Sequence, residues 1–407
     1  MKQIKSAKRK SIFISIIWPV LGLIVAIKNY NRFNADAVIL GFCVLFGFTF
    51  VISEEMDGQR YAEKLKVAYD EPFSSFTDQL FELYTTSLDF VEPLITFIVS
   101  RFTDSHHILF AIFALIFGWF WLKSIRLVSE KFYFNVNKMS LLFTILFISI
   151  LPIFSINGFR MWTAAWVFIY GVLHILLNKD KRFFLLCLAA CTIHFSFLTA
   201  NAVLVLWMVL GNRKWSYLIL AFVTLAISEI DLAAVRSYAE LLGPAFEEKT
   251  RTYAGDEYAA NVSERKAASV WFITLSSILS KYLLLLNILV LFIISLKRKL
   301  PKEELNLLCF TLLFFSFSNV VGLVPSGGRF MTVYFILASI LSIVLFSKYL
   351  HKRLDSLLGL FSMATISLSV LITFRVAAPT INTILFSPSI LVPFGYDLDW
   401  SLMELLF

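Results

Sequence analysis

Arg160, Arg329 and Arg375 each stand where a long apolar segment meets a short polar turn. A guanidinium at the end of an apolar helix is costly to keep there, and its planar fork binds phosphate or pyrophosphate oxygens in pairs. Two of the three share a local pattern: Asn157-Gly-Phe-Arg160 and Pro325-Ser-Gly-Gly-Arg329 put the arginine at a helix start, just after glycine. A cation is unfavourable at that end of the macrodipole, and a bound anion relieves it. Gly327 and Gly328 would also let backbone N–H groups approach an anion as a nest. Each arginine suits an interfacial anchor reaching for lipid head groups as well.

Asp57-Gly-Gln-Arg60-Tyr61 places a carboxylate, a guanidinium and a phenol within about one helical turn. That set supplies an acid or base beside a phosphate clamp; it is also what a solvated helix start at Asp57 looks like. His194, followed by Phe195 and Ser196, lies near the end of an apolar run. An ionisable group there is a functional candidate, and a histidine hydrogen-bonded between helices is the plain alternative. His106-His107 opens another apolar run, and Glu92-Pro93 begins a further one, where proline suits a first helical turn. Tyr61, Glu92, His106, His107 and Asn157 are therefore candidate substrate-supporting residues beside Asp57, His194 and the arginines. No His/Glu or Cys spacing matches a metal site, and the four cysteines sit inside apolar segments, so neither metal nor cofactor is expected.

The elements that must position these residues follow from composition. Of 407 residues, 59% are hydrophobic and 16% charged, far too apolar a balance for a soluble domain. The apolar runs lack residue-by-residue alternation, which excludes a β-barrel and leaves an all-α polytopic membrane protein, one integral membrane domain over 1–407. The net charge of +8 does not point to nucleic acid, because most Lys and Arg lie in short inter-helix loops, as the positive-inside rule requires. Residues 11–27, broken by Pro19 and Gly22 and basic on both flanks, read as an interfacial or re-entrant segment with both ends cytoplasmic.

Eleven spans are predicted beyond it, at 37–52, 106–124, 139–155, 161–177, 183–198, 199–211, 215–232, 269–296, 305–323, 330–347 and 356–374. With the first crossing outward, all three arginines face the same, outer side. Three external segments remain. In 53–105, an amphipathic stretch around Tyr61–Tyr69 precedes an apolar one, 90–102, lying along the membrane surface. Residues 233–268 form a polar lid, and the tail 375–407 packs on the outer face. Trp162 and most other tryptophans mark interfaces, and a few are placed to stack on glycan.

Asp57, Arg60 and Tyr61, then Glu92-Pro93, then Arg160 with Ala164 and Ala165, then Ile193-His194-Phe195-Ser196 occur in an order that resembles the EpsG-like branch of bacterial Wzy-type polysaccharide polymerases. That group is similar to the GT-C class of membrane glycosyltransferases. The resemblance implies a GT-C-like fold in the bacterial cytoplasmic membrane, with an active site facing the periplasm or exterior. It implies a metal-independent enzyme that joins undecaprenyl-pyrophosphate-linked oligosaccharide units into O-antigen, capsule or exopolysaccharide. Its implied partners are that lipid-linked glycan, the bilayer, a flippase and a chain-length regulator, with no nucleic acid. Arg160 and Arg329 would then hold the pyrophosphate, supported by Arg60 and Arg375, with Asp57 or His194 as base. Met161 departs from the pattern, since glutamine commonly follows this arginine in the group. A glycan ligase or a polyprenyl-phosphate-sugar transferase uses the same anion clamp and stays open. A lipid-linked glycan transporter or flippase calls for inverted repeats and midplane charges, whereas only Lys281 falls clearly inside a predicted span.

Overall fold

Lipid offers no partner to backbone N–H and C=O groups, so apolar runs such as these must satisfy them internally, as helices. The computed structural model describes residues 11–30, 35–52, 56–72, 89–132, 137–231, 270–350, 356–395 and 400–406, with single positions between 233 and 264. Among these the chain is helical apart from turns and one isolated bridge, Asn382 to Ser401. The proposed lid, 233–268, falls almost wholly outside the described residues.

The principal helices are α1 Pro19–Lys28, α2 Asp36–Phe48, α3 Asp57–Asp70, α4 Val91–Ser100, α5 His106–Phe132, α6 Lys138–Ser149 and α7 Phe159–Asn178. They continue as α8 Phe184–Ile193, α9 Phe197–Leu210, α10 Lys214–Leu225, α11 Trp271–Lys297, α12 Lys302–Val321, α13 Phe330–Val344 and α14 Leu357–Ala377. Among the described residues six helical stretches are long and apolar enough to cross a membrane: His106–Phe132, Lys138–Asn178, Trp271–Lys297, Lys302–Val321, Gly327–Tyr349 and Leu357–Thr380. Helices α2, α9 and α10 are apolar and shorter.

Two groups of helices share the core. In one, α5 packs on α2 and α7, and α7 on α8. Phe113 stacks on Phe159 with ring centroids 3.8 Å apart, and Phe50 on Phe110 at 4.7 Å, binding α2, α5 and α7. In the other, α6, α13, α11 and α14 close a four-membered ring, each packed on the next. Helix α12 bridges them, packing on α7, α9, α10 and α13. Its fully buried Glu304 accepts hydrogen bonds from Lys348 Nζ at 2.7 Å and Tyr349 Oη at 2.6 Å, which ties it to the far end of α13.

Several boundaries differ from the sequence reading. Residues 11–17 and α1 meet at Trp18, whose extended backbone (φ −149°) breaks the helix before Pro19. A Cβ on Gly22 would lie 2.4 Å from Ser15 Cα, so the two pieces fold back on each other as a re-entrant segment would. The expected tight turn between 139–155 and 161–177 is a longer connector. Helix α6 stops at Ser149 before Pro152, a 3₁₀ turn runs from Ile153 to Gly158, and the freed Leu151 carbonyl accepts from buried Trp166 Nε1 at 3.1 Å. The predicted span 183–198 is interrupted, because α8 ends at Ile193, His194 is extended and α9 starts at Phe197. The apolar stretch near 90–102 is α4, packed against α3. Arg101 ties the two by donating to the Glu71 carbonyl at 2.9 Å and to the Ala68 carbonyl, closing the end of α3. The described part of the tail folds into short 3₁₀ turns, and Val51 N–H donates to the Thr380 carbonyl at 3.2 Å.

Gly327 matters for packing: an added Cβ would sit 1.8 Å from the Val321 carbonyl oxygen, whereas one on Gly328 meets nothing within 4 Å. Gly327→Ala should lower stability by about 1–3 kcal/mol and shift the turn that carries Arg329. Gly328→Ala should be close to neutral, within ~0.5 kcal/mol. Thermal unfolding of the two variants checks the contrast, and equal melting temperatures would refute it.

Candidate functional site

A cavity of about 920 Å³ opens where one end of several helices converges. The starts of α3, α7, α11 and α13, the end of α14 and the 150–158 connector all line it. Its size falls in the ~300–1,000 Å³ range of ligand pockets. Asp57, Arg60, Tyr61, Asn157, Arg160, His194 and Arg329 all contribute to its wall, so the structure brings together residues the sequence scatters over more than half the chain.

Helix α3 presents the first three. Its N-terminus is capped from afar: Asn157 Oδ1 accepts the Gly58 N–H at 2.9 Å. Asn157 thus positions α3 and also lines the cavity. Gly58 fits closely here, since a Cβ would lie 3.0 Å from that oxygen. Arg60 Nη2 lies 2.5 Å from Asp57 Oδ1 on the exposed face of α3. Tyr61 is only 2% exposed, and burial pushes its phenol up to about 12, against the pull of the neighbouring Arg160 guanidinium. It stays a neutral hydrogen-bonding group within reach of Arg160.

Arg160 opens the second turn of the wall. Its Nη1 lies 3.0 Å from Oδ2 of Asp89, a carboxylate only 4% exposed. Asp89 Oδ1 accepts the Phe195 N–H at 2.7 Å, and the adjacent Phe90 N–H donates to the Thr192 carbonyl at 2.8 Å. One carboxylate therefore orients the arginine and satisfies backbone freed by the break after α8. In that break, Ser196 N–H donates to His194 Nδ1 at 3.3 Å, and Ser196 Oγ lies 2.8 Å from the same nitrogen. An Nδ1 that accepts leaves the neutral ring's proton on Nε2.

Arg329 differs from the other two cavity arginines. Its backbone is set by a 3₁₀ turn behind Ser326, which adopts a left-handed conformation (φ 64°). Arg160 is paired with Asp89 and Arg60 with Asp57. Among the described residues, the Arg329 side chain has neither carboxylate nor hydrogen-bond acceptor, although it lines the cavity.

The remaining candidates lie elsewhere. Arg375 falls between the cavity-lining residues Thr373 and Val376 of α14 but does not line the cavity itself, and it sits over the Phe272 ring at 5.3 Å. Glu92 is fully buried under α3, where Lys64 Nζ approaches at 3.3 Å and Thr96 Oγ1 donates at 3.3 Å. His107 Nδ1 lies 2.8 Å from the Phe48 carbonyl oxygen, closing the end of α2, and His106 packs against its ring at 4.0 Å. None of these four lines the cavity. The nest expected at Gly327 and Gly328 is not formed either, since Gly327 N–H donates to the Val324 carbonyl at 3.0 Å.

Sequence reasoning missed Asp89, whose only local mark is an acid beside an apolar stretch. It also left Trp162 as an interface marker, whereas the ring lines the cavity and covers Gly158, where a Cβ would lie 2.8 Å from it. That spacing, Gly158 one helical turn before Trp162, is the signal in the sequence.

A family model described as the EpsG family matches residues 37–388 of the chain. No curated protein and no solved structure matches it.

Removing Asp89 leaves a largely buried guanidinium unpaired. Asp89→Ala should cost about 3 kcal/mol, and Asp89→Asn less, because an amide oxygen still accepts from Phe195. A double-mutant cycle with Arg160→Met should show a coupling of about 1–3 kcal/mol. Additive losses on thermal unfolding would mean that the pair does not cooperate.

Proposed function

The chain belongs to the EpsG family, and on that premise we propose that it is a membrane glycosyltransferase of the polysaccharide-polymerase kind. In this reading it joins oligosaccharide units carried on undecaprenyl pyrophosphate into a surface polysaccharide. The same reading takes about eleven segments across the membrane in a GT-C-like arrangement, with the cavity facing the periplasm or exterior of the bacterial cytoplasmic membrane. Charge placement supports that orientation: Lys179, Lys181, Arg182, Arg213, Lys214, Arg298, Lys299 and Lys348 lie at helix ends opposite those lining the cavity. The bilayer, a flippase that delivers the units and a chain-length regulator are the partners this role calls for.

The observation that carries the reading is Arg329, a cavity-lining guanidinium for which the described residues provide no counter-charge. A pyrophosphate supplies one, with Arg160 held in place by Asp89 and Tyr61 beside it. An acceptor sugar hydroxyl oxygen attacks the anomeric carbon of the donor glycan. As that C–O bond forms, the bond from the same carbon to the pyrophosphate oxygen breaks, and the leaving group departs with the electron pair on its lipid carrier. The two guanidinium groups stabilise the growing charge on that oxygen. The hydroxyl proton passes to the Asp57 carboxylate, which lines the cavity with Arg60 at its side. His194 is the poorer base, because its Nδ1 already accepts from Ser196 N–H and its Nε2 carries the proton. It enters as a hydrogen-bond donor instead.

Elongation of lipid-linked units by the purified protein tests this. Arg329→Gln should lower the rate by about 10²–10³-fold, the cost of losing one charge-stabilising donor, and Arg329→Lys should restore part of it. Asp57→Asn should lower the rate by about 10²-fold or more. Wild-type polymer lengths in Arg329→Gln would remove the arginine from the mechanism.

A further inference from the structure

Beside the main cavity, a second space of about 170 Å³ runs down the centre of the ring formed by α6, α11, α13 and α14. The two spaces share Ile150, Ile273, Thr332, Ile372 and Thr373 as lining, so the smaller one is a shaft leading off the larger. Of its hydroxyls, Thr373 donates to the Ser369 carbonyl at 2.9 Å, and the other five differ from those satisfied along their own helices. Elsewhere, Ser124, Thr144, Ser316, Ser318 and Ser342 donate to the carbonyl four residues earlier in their own helices. Around the shaft, Ser276, Ser277, Ser280, Thr332 and Ser369 have no side-chain partner among the described residues. Ser276 is decisive, because it is only 5% exposed and lines the shaft with no side-chain hydrogen bond among the described residues. An enclosed hydroxyl left unbonded in a membrane bundle is costly, and a polar ligand removes that cost.

No charged residue lines the shaft, so its ligand is neutral. Hydroxyl groups that both donate and accept, interleaved with Leu284, Phe335 and Ile372, match a ring that carries hydroxyls on its edge and C–H bonds on its faces. We propose that the shaft is a subsite for a single neutral sugar ring of the lipid-linked glycan, seated beside the pyrophosphate site. The identity of the ligand as glycan rests on the glycosyltransferase reading; the presence of a neutral polar subsite does not. An isoprenoid tail fits poorly, since it leaves every one of these hydroxyls unbonded.

Saturation-transfer NMR on the full-length protein in lipid nanodiscs tests the subsite, with the methyl glycosides of glucose, galactose, N-acetylglucosamine and rhamnose as probes. Magnetisation should pass to at least one glycoside from the wild-type protein. It should fall by about fivefold or more in Ser276→Ala/Ser277→Ala/Ser280→Ala, given about that factor for each hydrogen bond lost. Ser280→Leu, which fills the shaft, should abolish it. The triple variant should melt no lower than wild type, because it removes hydroxyls that have no protein partner. Its binding of inorganic pyrophosphate should equal that of wild type. Transfer to none of the four glycosides, or equal transfer in wild type and triple variant, overturns the subsite and leaves a shaft filled by water. A wild-type protein that binds glycoside but neither binds pyrophosphate nor elongates lipid-linked units would sink the catalytic reading and leave the subsite standing.

Discussion

The buried Asp89 carboxylate joins two parts of the chain, Arg160 through Oδ2 and the Phe195 N–H through Oδ1. Both contacts answer a demand set by the surroundings. A guanidinium at the start of α7 needs a counter-charge, and the break after α8 frees backbone groups that an apolar environment cannot satisfy. One acid meets both demands and thereby sets the distance between Arg160 and His194. Remove it and Arg160 loses its ion pair and the Phe195 N–H its acceptor. The main site is built around this bond, and α3, with Tyr61 against Arg160, is laid over it.

The cavity arginines divide their work by how they are paired. Arg160 is fixed, because its partner is buried and itself held by the chain. Arg60 balances Asp57 on an exposed helical face, where solvent weakens the pair. Arg329 is carried on a turn where Gly327 approaches Val321 closely, and among the described residues its side chain has no partner. The cavity therefore carries two arginines balanced by carboxylates and one that none of the described carboxylates balances.

Much of this was legible in residue order. The arginine-led helix starts, the Asp57–Tyr61 turn and the apolar runs each carry a local pattern, and local patterns set helices and their ends. Arg375 shows the limit. Helix α14 is apolar nearly all round, so periodicity could not say which side faces the cavity, and the arginine lies against Phe272 instead. The break at His194 was invisible because Ile193 and Phe195 continue the apolar run on either side. Asp89 is 71 residues from Arg160, and no local feature marks a pair that distant. Gly327 and Gly328 were assigned to anion contact when close helix approach is what Gly327 provides. Nothing short of the packed bundle distinguishes the two.

The cap that Asn157 places on α3 reaches across 99 residues of chain. Chains are made from their beginning, so α3 is synthesised well before the connector that closes its first turn. Until α6 and the connector have followed, the Gly58 N–H must be satisfied by water, and α3 has no anchor at that end. Docking of α3 is therefore a late step in biogenesis. A chain halted before the connector would display Asp57 and Arg60 on an unlatched segment, with the cavity wall assembled only when the second half arrives.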